Sequence, residues 1–135
     1  WAYVHDEACR WEHVMSEQVE RRLLEMLGHP TESPYGNPIP GLEELGGAAA
    51  PAFMHGVVNV VRFAATAPAT GVIRRLGEPV QFEPELLHQL KDAGVVPGAT
   101  ATFSTAGSYI VVRAEGSTQT LELPLELAAH IYVAS

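Results

Sequence analysis

Apolar residues recur at helical spacing in the first part of the chain and alternate with polar ones in the last. Val4, Ala8, Trp11 and Met15 share one stripe of a helix that begins near the first residue. A second helix is expected after Ser16, a suitable N-cap, with Val19, Leu23, Met26 and Leu27 on one face and Gly28 as its C′ residue. Two such helices cannot enclose a core, so their apolar stripes must meet another segment or a second copy. From His29 to His55 the pattern dissolves into Pro, Gly, Ala and Ser, and Pro30, Pro34, Pro38, Pro40 and Pro51 leave room for one helical turn, Leu42 to Leu45.

From Gly56 onward, β-like runs alternate with turns. Strands are expected at residues 57–63, 71–75, 100–104, 109–113, 118–123 and 130–133, with hairpin turns at Ala106-Gly107-Ser108 and Glu115-Gly116-Ser117. One helix interrupts them, with Pro84 in its first turn, Leu86, Leu87 and Leu90 buried, and Gly94 ending it. Five or six short strands in about 80 residues suggest a small barrel. Arg74 and Arg75 read as charges on the exposed face of a strand.

Length and composition narrow the picture only slightly. The 135 residues suffice for one ordinary domain or two small ones. The chain begins with Trp rather than Met, inside a helical pattern, and so reads as a C-terminal fragment or a processed form. The apolar tract from Gly46 to Ile73 is interrupted by His55, Asn59 and Arg62, which argues against a membrane span. A single cysteine excludes an internal disulfide framework and suits a reducing cytoplasm. The net charge is −8, and before residue 45 nine acidic side chains face three arginines. Such a surface repels phosphates, so tight DNA binding by this chain alone is not expected.

Candidate chemistry concentrates on the first helix. At about 100° per residue, His5, Cys9, Glu12 and His13 share a polar stripe roughly 120° from the apolar one. A soft sulfur, two imidazoles and a carboxylate there suggest metal binding, although a lone cysteine is more often a small buried hydrophobe. Helix rise separates His5 from His13 by roughly 12 Å, so one ion cannot take both. Cys9, Glu12 and His13, at i, i+3 and i+4, can converge on one ion, and His5 is left to a different one. Mixed S, N and O ligation favours Fe, Co, Ni or Zn over Mg or Ca, and a structural zinc site would show more cysteines. Two incomplete sites suggest reversible binding that weakens as pH falls, because the ligands must shed protons. Neither a base and oxyanion hole for Cys9 nor the two-His metalloprotease spacing is recognisable, so an enzyme is not expected.

The run His5-Asp6-Glu7-Ala8-Cys9-Arg10-Trp11-Glu12-His13-Val14-Met15-Ser16 resembles the iron-dependent regulators of the diphtheria toxin repressor family. So do Val19-Glu20-Arg21-Arg22-Leu23 and Ser33-Pro34-Tyr35-Gly36-Asn37-Pro38-Ile39-Pro40-Gly41-Leu42. The resemblance implies an α+β chain: residues 1–28 as the end of a metal-binding dimerisation domain, 29–55 as a Pro-rich tether, and 56–135 as an SH3-like barrel. It also implies a cytoplasmic homodimer that binds operator DNA through an N-terminal domain missing here. The corepressor would be Fe(II), with Co(II), Ni(II), Zn(II) or Mn(II) as substitutes. Cys9, Glu12 and His13 match the family's primary site, completed by an N-terminal methionine, and His5 matches its ancillary site. Aligning Lys91–Gly98 with the family's equivalent stretch adds Glu78 and Gln81 to the ancillary site; by position alone these two read as turn or capping residues before a helix. The Pro-rich tether is expected either to dock on its own barrel or to stay free. A stand-alone SH3-like module for a transporter or a Pro-rich partner is the alternative reading of the chain.

Overall fold

The computed structural model describes residues 2–135; Trp1, the first residue of the expected helical segment, lies outside them. Helix α1 spans Val4–Glu12 and α2 spans Glu17–Met26. The Ser16 Oγ accepts from the Val19 N–H at 3.3 Å, and Gly28 takes φ +76, so α2 starts and stops where its end residues dictate. No residue of α1 is buried, and α2 buries only Leu24. Leu24 and the buried Leu42, at the start of a 3-10 turn Leu42–Leu45, both lie against Gly47. Arg21 ties the two elements, donating to the Glu44 carbonyl at 2.9 Å while pairing with Glu17.

The remaining elements are strands β1 (Val57–Asn59), β2 (Ala69–Leu76), β3 (Thr100–Ala106), β4 (Tyr109–Ala114), β5 (Leu121–Pro124) and β6 (Ile131–Ala134). Four short helices accompany them: α3 (Val60–Phe63), α4 (Glu78–Gln81), α5 (Pro84–Asp92) and α6 (Leu125–Ala128). The strand order is β1-β6-β2-β3-β4-β5, with every pairing antiparallel. Strand β2 serves both halves of the sheet. Residues 69–72 pair with β3, and residues 73–76 pair with β6 across an irregularity between Ile73 and Arg75. This is the α+β, SH3-like architecture expected from the sequence. Its core centres on the fully buried Ile73, Val80, Leu90, Val95, Phe103, Ile110, Val112 and Val133.

Apart from strand ends, among them residues 118–120, which are not strand, and the unexpected helical turn α6, the structure differs from the sequence reading in three places. The run at 57–63 is strand for only three residues, because the Asn59 Oδ1 accepts from the Arg62 N–H at 3.0 Å and caps a helical turn. Glu78 and Gln81 lie within a helical turn of their own, with Pro79 in its first positions. Arg75 is not exposed but only 3% accessible. The bulge in β2 shifts the alternation, so that Ile73 and Leu76, three apart, both enter the core and Arg75 faces the connector, the Pro-rich residues 29–55.

Candidate metal centre and its connector

Helix α1 holds three of the candidate ligands, and His13 follows as its C-cap with helical backbone angles, φ −77 and ψ −12. Cys9 is exposed, and its Sγ lies 3.5 Å from the His5 Nε2. One turn on, the His13 Nε2 lies 3.4 Å from the Glu12 carboxylate. The four side chains thus form two pairs, His5 with Cys9 and Glu12 with His13. Among the described residues, no three His, Cys, Asp or Glu side chains gather closely enough to hold an ion. In chemical type the donors suit a late divalent metal. In number they fall short of a complete ligand set.

His5 also stacks edge-to-face on Phe82, with ring centroids 4.7 Å apart, and Tyr3 meets His88 in the same manner at 6.0 Å. Phe82 is the C-cap of α4, so the start of α1 rests beside the segment carrying Glu78 and Gln81. Gln81 is buried, and its Nε2 donates to the Leu76 carbonyl at 2.9 Å. Glu78 is exposed and lines an open cleft of about 590 Å³ with Asn37, Ile39, Glu43 and Phe53.

Residues 31–39 of the connector form a closed loop. Ser33 N–H donates to the Asn37 carbonyl at 2.8 Å, Ile39 N–H to that of Thr31 at 2.9 Å, and a turn with Pro34 in its second position closes between Ser33 and Gly36. This loop bonds to the end of β2. Leu76 N–H donates to the Tyr35 carbonyl at 3.0 Å, Asn37 Nδ2 to the Leu76 carbonyl at 2.9 Å, and Arg75 Nε to the Gly36 carbonyl at 2.9 Å. Arg75 lies under the Phe53 ring at 5.4 Å and 3.6 Å from Glu32, so one buried cation meets the connector at residues 32, 36 and 53. The sequence pattern reads Arg75 as an exposed charge, which its burial corrects. The signal available was the odd spacing of Ile73 and Leu76, which announces a bulge.

Burial raises the Tyr35 phenol above its ordinary value of 10.0. A raised acid favours its neutral form in the docked loop, so the contact holds at neutral pH and weakens as pH climbs past the ordinary value. The Leu76 amide is expected to lose exchange protection above about pH 10, and Tyr35→Phe should remove that part of the loss. Equal alkaline loss in both proteins would show that Tyr35 does not govern it.

A profile of the iron dependent repressor metal binding and dimerisation domain matches residues 1–41. The iron-dependent repressor IdeR of Mycobacterium tuberculosis is 47% identical over 135 residues, 98% of this chain and 58% of that protein. The chain belongs to the iron-dependent repressor family. Within this family the diphtheria toxin repressor of Corynebacterium diphtheriae is 42% identical over 113 residues, 84% of this chain and 50% of its own length. The chain therefore spans between one half and three fifths of these curated relatives. Among solved structures, a manganese-dependent transcriptional repressor in complex with manganese matches with a TM-score of 0.78 at 25% identity, covering 100% of this chain and 60% of the other. The IdeR of T. acidophilum matches at 0.71 and 30% identity over 99% and 56%. No helix among the described residues is long and apolar enough to cross a membrane.

Proposed function

We propose that this chain is the metal-sensing and dimerising portion of an iron(II)-activated transcriptional repressor, cytoplasmic and not an enzyme, whose operator-binding domain lies in the rest of the protein. The reading rests on one observation: α1 presents a thiol, imidazoles and a carboxylate on an exposed stripe of a helix that buries none of its residues. Bound Fe(II) would supply positive charge and strong directional bonds linking α1 to other segments. Cys9, Glu12 and His13 are the chain's share of the activating site. His5, beside α4, is one ligand of a second site shared with Glu78 and Gln81. The thiol favours iron over manganese, because a harder cation prefers oxygen; Co(II), Ni(II) and Zn(II) are chemically acceptable substitutes.

Dimerisation accounts for the apolar residues that α1 and α2 leave uncovered. Trp11 is 62% exposed, Val14 83% and Met26 74%, and Trp11 and Met15 line one concavity with Val4 and Ala8. A second copy is the partner of choice for such a face. We assign residues 1–28 to this helical unit, 29–55 to the connector, which docks on its own barrel, and 56–135 to the barrel.

Optical titration with Co(II) tests the metal assignment. A thiolate-to-cobalt charge-transfer band is expected in the native chain, absent in Cys9→Ser and weakened at least about tenfold in His13→Ala. A band that survives Cys9→Ser would remove Cys9 from the site.

A further inference from the structure

The Leu76 backbone joins the connector to a candidate ligand. Its N–H donates to Tyr35, and its carbonyl oxygen accepts from two side-chain amides, Asn37 Nδ2 and Gln81 Nε2, each at 2.9 Å. A carbonyl can only accept, so both amides must turn their nitrogens toward it. Both lone pairs of the oxygen are then in use. Gln81 is left with Oε1, the atom of an amide that can bind a cation, as its free end. Asn37 is left with an Oδ1 that is buried and has no hydrogen-bond partner. The contribution of Asn37 at this place therefore lies in its Nδ2 bond.

We propose that Asn37 is a positioning residue for Gln81. Docking of Tyr35–Asn37 holds the Leu76 backbone, whose carbonyl holds the Gln81 amide with its oxygen available, so cation affinity at Glu78 and Gln81 depends on the connector being docked. The inference rests on the reading of Glu78 and Gln81 as ligands. Residues behind a ligand set its orientation and affinity, and linkage makes the effect reciprocal: a cation held by Gln81 tightens docking by the same factor.

The test is Mn(II) titration of the ¹⁵N-labelled 135-residue chain, followed by paramagnetic broadening of the Gln81 side-chain NH₂ pair. Asn37→Ala is expected to shift that pair and to raise the Mn(II) needed for half-broadening by about tenfold, with the Ile110 and Val112 amides unmoved. Gly36→Ala, which displaces the connector by a different route, is expected to raise it similarly. If Glu78→Ala and Gln81→Ala abolish the broadening near α4 while Asn37→Ala and Gly36→Ala leave it at the native concentration, the linkage is wrong and the ligand assignment stands. If broadening near α4 persists unchanged in Glu78→Ala and Gln81→Ala, the ligand assignment falls and the linkage with it.

Discussion

Gly36→Ala is expected to release the connector from β2 while the barrel stays folded. Gly36 is buried at φ +78, in the left-handed region where a Cβ is strained. Its added methyl group would overlap the Arg74 carbonyl oxygen and sit 3.0 Å from that carbonyl carbon. Both obstacles are backbone, so no side chain can swing aside. Relief requires the loop to lift, which breaks the bonds to Leu76 and the Arg75 bond to the Gly36 carbonyl. Backbone strain with two or three lost hydrogen bonds amounts to about 3 kcal/mol, roughly a hundredfold in the docking equilibrium. Hydrogen exchange reads this directly: protection of the Leu76 amide should fall by about that factor, while the paired amides of β3 and β4 keep theirs. Unchanged protection at Leu76 would mean that the loop tolerates a Cβ and is not held as described.

Local signals account for what the sequence revealed. Ser16 and Gly28 bound α2, Pro84 and Gly94 bound α5, and Gly107 permits the tight turn between β3 and β4, each acting within a few residues of itself. The errors arose where a neighbour in space, or a single polar atom, overrode the pattern. The apolar run after Val57 suits a strand, yet one hydrogen bond from Arg62 to Asn59 turns it into helix. Arg75 looked like a surface charge because nothing local shows that Glu32, Gly36 and Phe53 come to meet it. The candidate ligands divide in the same way. Cys9, Glu12 and His13 are legible because one helix spaces them, whereas Glu78 and Gln81 are 65 or more positions from His13 and were found through family resemblance alone.

Phe103→Ala is expected to be the most destabilising single change in the barrel, costing about 3–5 kcal/mol of a typical domain stability of roughly 5–15. Phe103 is fully buried at the middle of β3, opposite Ala69 of β2 and Val112 of β4, with its ring edge-on to Phe63 at 6.3 Å. Neighbours on both strands hold the backbone, so the cavity cannot collapse cheaply. The consequence reaches the connector, because β3 braces the first half of β2 and the second half of β2 receives the loop. Phe103→Ala should therefore lower global stability and Leu76 protection together, whereas Gly36→Ala lowers protection alone. Urea unfolding provides the check: a lower midpoint with an unchanged slope is expected. A loss below about 1 kcal/mol would place Phe103 outside a close-packed core. Taken together, the two variants give the order of dependence: the connector needs the barrel, and the barrel does not need the connector.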